Sequence, residues 1–284
     1  MRRRSILLAG LLALPLLLPS LPAMAQGDTG AIPLPDRIRR AGKLVVATYP
    51  NYPPLTFRDP ATNQRLGFDV ELAEAIAKEL GLKVEWQEMP FVQFFPSLQT
   101  GRIDMAIDGI SDLPARRGPI DFIDYLRTGA QFYTLDSNSG IRSPADLCGK
   151  RVGASRSTNW PRNIEEWSQA NCVAKGKPAI TVIGTEGSID ARTQLRTGRI
   201  DGAVQGNETL GWLQQTEPGV YRTLGEPITE NLAGMPVPSS EPVLRDAVKT
   251  ALDRLIANGT YAGLLRKWKL EANAVQAAGI NQGK

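Results

Sequence analysis

The segment Asp108-Gly109-Ile110-Ser111-Asp112-Leu113-Pro114-Ala115-Arg116-Arg117 carries the residue types best suited to grip a small anion. A guanidinium fork at Arg116, the hydroxyl of Ser111 and the loop's backbone N–H groups match a carboxylate through charge-assisted, bidentate hydrogen bonds. Arg116 is expected at a helix start, where backbone amides also favour an anion. Composition alone does not separate this from solvated surface charge at Arg116 or Arg117, because exposed arginine is common. Tyr49, Tyr52 and Phe94 offer aromatic walls for a ligand, although ordinary core or loop packing uses the same residues.

Other chemistries are excluded by what is missing. The 284 residues include no His and two Cys. Nucleophilic systems that need histidine, histidine general bases, His-containing zinc sites and four-thiolate clusters therefore drop out. No catalytic residue, metal site or cofactor is expected. Lys and Arg number 33 against 29 Asp and Glu, a net charge of +4. That surplus belongs largely to the N-terminus. Met1-Arg2-Arg3-Arg4, an apolar run from Ile6 to Leu18 and the small residues Ala23 and Ala25 form a secretory signal peptide, expected to be cleaved after Ala25. Pro15, Pro19 and Pro22 argue against a membrane anchor, and no Cys marks a lipid-attachment site. Twin-arginine export is left open by the adjacent arginines. Cleavage removes three arginines and no acid, so the charge falls to +1 and a nucleic-acid partner loses its support. An exported compartment permits a disulfide between Cys148 and Cys172, with two buried free thiols as the alternative.

The elements that must position these residues come from an internal repeat. Leu98-Gln-Thr-Gly-Arg-Ile-Asp-Met-Ala-Ile107 recurs as Leu195-Arg-Thr-Gly-Arg-Ile-Asp-Gly-Ala-Val204, 97 positions later. Each copy is expected as a helix ending at Thr, a glycine stop and a strand. Gly42-Lys-Leu-Val-Val-Ala-Thr48 likewise resembles Gly149-Lys-Arg-Val-Gly-Ala-Ser155. Two α/β units follow, strands alternating with helices in a mostly parallel sheet. In the first, Val45–Ala47 is a strand and Tyr49–Pro54 a loop. Asp69 caps a helix bearing Leu72, Ile76 and Leu80, and Pro90 opens a helix through Phe94, Phe95 and Leu98. In the second, Trp160–Ala170 and Ser188–Thr197 are helices around the strand Ile180–Ile183. Ser240 opens a helix with Val243, Ala247, Ala251 and Leu255, and Tyr261–Trp268 makes a last one. Ligands in such sheets sit beyond the carboxyl ends of strands, which selects the loops 48–57, 108–117, 155–160 and 205–209.

These segments together resemble bacterial extracellular solute-binding protein family 3, the substrate-binding proteins of polar amino-acid ABC transporters. The likeness runs through Gly42–Thr48, Gly67–Gly81, Phe95–Asp104, the 108–117 loop, Gly149–Gly153 and Leu244–Trp268. It implies a two-lobed periplasmic-binding-protein fold (type II) with a two-crossing hinge. Lobe 1 would take 26–133 and 236–284, and lobe 2 would take 134–235. It further implies a periplasmic, monomeric solute receptor that binds an amino acid or related carboxylate, closes about its hinge and serves a membrane permease. Arg116 would meet the α-carboxylate with Ser111 and the amides of Gly109 and Ile110 beside it. Thr158 and Asn159 would meet the same group from lobe 2, and Tyr49, Tyr52 and Phe94 would be lobe 1 walls. The family's usual ammonium-binding Asp is replaced by Gly206, so either another carboxylate substitutes or the ligand lacks a standard α-amino group. Asp108 is the first candidate to substitute and Glu208 the second, and the cap or turn role common for Asp also fits Asp108. Relatives that are cyclohexadienyl dehydratases carry a glutamate where Thr209 stands, next to Glu208, so a dehydratase is an alternative function, as is a sensory binding protein.

Overall fold

The computed structural model describes residues 30–284, so the expected signal peptide, 1–25, lies outside the described residues. Ile32–Lys284 form one compact unit. Its first stretch runs α1 (Asp36–Ala41), β1 (Lys43–Thr48), β2 (Asn51–Tyr52), β3 (Thr56–Arg58), β4 (Arg65–Leu66), α2 (Phe68–Glu79), β5 (Lys83–Glu88), α3 (Phe94–Gln99), β6 (Met105–Ala106) and β7 (Ile120–Thr128). The middle stretch runs β8 (Ala130–Leu135), β9 (Arg151–Ser155), α4 (Trp160–Asn171), β10 (Thr181–Thr185), α5 (Ser188–Arg196), β11 (Gly202–Gly206), α6 (Asn207–Thr216) and β12 (Tyr221–Leu224). The chain then returns through β13 (Asn231–Pro238), α7 (Pro242–Ala257), α8 (Thr260–Trp268) and β14 (Gly279–Ile280).

Sheet pairing separates two lobes. In the first, β1 lies between β5 and β6, all parallel, while β7 pairs antiparallel with β13 and β14. The second has one sheet in the order β10-β9-β11-β8-β12, parallel over β10-β9-β11 and antiparallel at β8 and β12. The antiparallel strands carry the two crossings. β7 ends in one sheet at Thr128 and β8 opens in the other at Ala130. Gly129 between them is pinned by Asn207, whose N–H donates to the Gly129 carbonyl (2.9 Å). Beside it, the Ile228 N–H of the return crossing donates to the Ala130 carbonyl (2.7 Å).

The repeat is the same device in both lobes. Gly101 and Gly198 stop α3 and α5 with left-handed φ of 69° and 68°, a conformation that costs glycine nothing. Asp104 then accepts from the Val45 N–H of β1 (2.8 Å), and Asp201 from the Arg151 N–H of β9 (2.9 Å). Each repeat aspartate thus stitches its own strand to the neighbouring one, which gives a physical reason for the Gly-Arg-Ile-Asp spacing.

The amphipathic pattern of α2 behaves as expected: Phe68, Leu72 and Ile76 are fully buried, each contributing about 1.5–3 kcal/mol of burial free energy. Four expectations are corrected. Asp69 does not cap α2, which starts after Gly67; its carboxylate is buried inside the lobe. Pro90 leads into a separate 3-10 turn, Phe91–Gln93, before α3 begins. The 49–54 loop contains the short strand β2. On α7, Val243 is exposed and the buried stripe is Leu244, Ala247, Val248, Ala251, Leu252 and Leu255, because the helix starts at Pro242 and not at Ser240. Cys148 and Cys172 are disulfide-bonded in the second lobe, joining the turn before β9 to the end of α4.

Candidate functional site

A cavity of about 160 Å³ lies where the carboxyl ends of β1, β6, β9, β10 and β11 converge from both lobes. Lobe 1 lines it with Tyr49, Asn51, Tyr52, Pro90, Phe91, Val92, Asp108, Gly109, Ile110, Ser111 and Arg116. Lobe 2 contributes Ser155, Ser157, Thr158, Asn159, Trp160, Thr185, Glu186, Gly187, Ser188 and Gln205. The lobes touch at its rim: Ser188 Oγ donates to the Asn51 carbonyl (3.1 Å), and Tyr52 meets Trp160 edge-on with centroids 6.1 Å apart.

Arg116 ends a 3-10 turn, Pro114–Arg116, rather than starting a helix. Its guanidinium lies near two rings, 5.5 Å from the centroid of Phe91 and 5.6 Å from that of Phe95, and Nη1 donates to the Ser111 carbonyl (2.8 Å). Burial pushes its pKa down to about 10, opposed by the charge of Asp112, so it stays cationic at neutral pH. The loop that carries it is fixed from behind. Asp112 receives Nε and Nη2 of Arg117 (2.8 Å each), the Gly234 N–H donates to the Ile110 carbonyl (2.8 Å), and the Asp112 N–H donates to Leu232 (2.9 Å). Arg117 is therefore structural while Arg116 faces the cavity.

Asp108 follows β6 and is 7% exposed. Its Oδ1 accepts from the Thr48 hydroxyl (3.3 Å) and the Tyr49 N–H (3.4 Å), both long. Burial, reinforced by Asp69, holds its carboxyl well above the usual range, and those two donors oppose the shift. Asp69 sits one layer deeper, accepting from the Tyr125 hydroxyl and the Gly109 N–H (2.9 Å each). Burial raises it to about 7. Neither carboxylate has a lysine or arginine as a hydrogen-bond partner among the described residues. In lobe 2, Gln205 lines the wall with a buried Nε2 that has no hydrogen-bond partner among the described residues.

The signature of bacterial extracellular solute-binding proteins, family 3, matches residues 44–271. The chain belongs to that family. The arginine-binding protein ArgT of Corynebacterium glutamicum is 29% identical over 249 residues, 88% of this chain and 81% of ArgT. An ancestral arginine-binding protein solved with arginine superposes with a TM-score of 0.71 at 30% identity, over 80% of this chain and 98% of its own. The ancestral amino acid-binding protein AncCDT-1, a precursor of cyclohexadienyl dehydratase, gives 0.70 at 29% identity, over 82% and 98% of the two chains.

Against this family frame, the cavity gathers Tyr49, Tyr52, Asp108, Gly109, Ile110, Ser111, Arg116, Thr158 and Asn159 of the candidates drawn from sequence. It leaves out Phe94 and Gly206. Phe94 is fully buried in the lobe 1 core, since the 3-10 turn before α3 presents Phe91 to the cavity instead. Gly206 is enclosed: a Cβ there would collide with Glu208 Oε1 and the Tyr52 hydroxyl. Residues 90–92 and 185–188 were not foreseen. The second set was within reach of the strand-to-helix rule, because β10 runs into α5 there, whereas the first depended on a 3-10 turn that periodicity does not announce.

Proposed function

We propose that this protein is a solute receptor that captures an amino acid between its lobes and delivers it to the membrane permease of an ABC transporter. The observation that carries this is a half-buried guanidinium and a buried carboxylate on one cavity, Arg116 and Asp108, neither paired with a counter-ion among the described residues. Burying both charges is costly unless something pairs with each, and a zwitterion supplies both partners at once. Arg116 with Ser111 and the amides of Gly109 and Ile110 receives the α-carboxylate, Thr158 and Asn159 close on it from lobe 2, and Asp108 receives the α-ammonium. Tyr49, Tyr52 and Phe91 form the walls. Cavity walls drawn from both lobes, and two adjacent crossings, suit hinge closure around the ligand. We place the lobe boundaries at the crossings 128–130 and 225–230, a few residues before the 133/134 and 235/236 divisions expected from sequence. Export after loss of 1–25, a periplasmic location and a monomeric state complete the proposal.

Mass spectrometry of ligand released from gently purified protein tests it. An amino acid is expected; a retained solute without both a carboxylate and an ammonium would overturn the assignment. Elimination chemistry is the weaker alternative, because Thr209 is buried behind the wall and the nearby Glu208 is committed to Tyr52 and Thr128. Turnover of prephenate or arogenate would reverse that order.

A further inference from the structure

Glu208 has no place in the cavity wall, yet it is the most conspicuous acid in lobe 2. It stands in the first turn of α6, is 3% exposed, and its carboxylate is shared between the lobes. Oε1 accepts from the hydroxyl of Tyr52 in lobe 1 (2.5 Å), and Oε2 from the hydroxyl of Thr128 at the crossing (2.8 Å). Its partners from other described residues are hydroxyls, with no cation, and its own backbone N–H adds a further donor. Burial pushes its carboxyl up, and both hydroxyls oppose the shift.

The fit around Tyr52 is made by two glycines, one per lobe. A Cβ on Gly109 would lie 2.6 Å from Tyr52 Cε1, and one on Gly206 would collide with both the Tyr52 hydroxyl and Glu208 Oε1. Residue 206 must therefore lack a side chain for Tyr52 and Glu208 to meet. Tyr52 is itself a cavity wall, so the Glu208 carboxylate lies directly behind the ligand space.

We propose that Glu208, acting through Tyr52, couples lobe closure to a positively charged ligand, making it a positioning residue that selects basic amino acids over neutral ones of the same shape. This rests on the amino-acid receptor reading and deepens it. With the lobes apart, Glu208 loses Tyr52 and gains water. Closing them strips that water from a carboxylate in a neighbourhood that already holds Asp108. Closure over a neutral ligand leaves this surplus uncompensated, and closure over a cationic one does not. An α-ammonium answers Asp108 alone; a second positive group on the ligand answers Glu208.

The test is calorimetric affinity of the purified protein for two matched pairs, arginine against citrulline and lysine against norleucine. Wild type and Glu208→Gln are compared, with melting temperature as the check on folding. Wild type should prefer the cationic member of at least one pair by roughly thirtyfold or more. Glu208→Gln keeps an acceptor oxygen for one hydroxyl and offers an N–H to the other, which can turn to accept it, and should shrink that preference about tenfold, mainly by weakening the cation. An unchanged preference in folded Glu208→Gln would overturn the proposal, as would a wild type that favours citrulline and norleucine. If acidic or neutral amino acids bind and no basic one does, the receptor reading survives and this inference falls. If no amino acid binds, both fall.

Discussion

The two copies of the Thr-Gly-Arg-Ile-Asp repeat share a scaffold and differ in the chemistry at its end. Both run helix, left-handed glycine, aspartate-stitched strand. At the same 97-residue offset, Asp108-Gly109 just after β6 corresponds to Gln205-Gly206 at the end of β11. The glycines keep one task, making room for Tyr52 from opposite sides. The residues before them diverge, a carboxylate in lobe 1 and a neutral amide in lobe 2. On the proposed function, lobe 1 thus holds both groups that meet the ligand's α-carboxylate and α-ammonium, Arg116 and Asp108. Lobe 2 offers hydroxyls and amides, plus Glu186 at the rim paired with exposed Arg156. The division suits a sequence of events in which lobe 1 captures by charge and lobe 2 closes by hydrogen bonds, a lower desolvation cost for the part that moves.

The strongest way to break this asymmetry is Arg116→Ala. It should cost about 2–5 kcal/mol of affinity for any carboxylate ligand while the melting temperature of the ligand-free protein holds or rises. Unchanged calorimetric affinity would remove the charge from lobe 1's role. A second effect is on stability. Asp69, held up at about 7 by burial, keeps its proton in the folded chain while the unfolded chain releases it near the ordinary 3.8. Between those values the folded state binds the extra proton, so stability falls as pH rises, by up to roughly 4 kcal/mol from this group. Asp69→Asn should flatten the decline in melting temperature between pH 4.5 and 7.5; an unaltered slope would show that Asp69 does not titrate there. Asp108→Asn comes next, with about 1–3 kcal/mol lost for ligands that carry an ammonium and much less for carboxylates that lack one. Equal losses for the two classes would make Asp108 structural. The smallest effect is Gln205→Ala, about 1 kcal/mol and similar for cationic and neutral ligands, as its neutral amide requires.

Much of this scaffold was readable from the residues themselves. Gly101 and Gly198 betray helix stops because few other residues take their φ, and the apolar spacing of α2 follows from helix geometry. The 108–117 loop was readable because carboxylate recognition needs a fork and donors close together in the chain. What stayed hidden depended on contacts distant in sequence. Asp69 looks like a cap until Gly109 and Tyr125 fold onto it, 40 and 56 residues away. Phe94 looks like a wall until a short 3-10 turn rotates it into the core. Gly206 looks like a missing acid, and its meaning depends on Tyr52, which arrives from the other lobe.

The most direct test of the central claim, that Arg116 and Asp108 together receive a zwitterion, is a thermal-shift titration of the wild-type protein. The panel is the free amino acids, each beside the amine that lacks its carboxylate and the acid that lacks its amino group. At a hundredfold excess over the dissociation constant, at least one amino acid should stabilise the protein by about 2.7 kcal/mol, and both of its singly charged fragments far less. Equal stabilisation by a fragment, or none by any amino acid, would contradict the account.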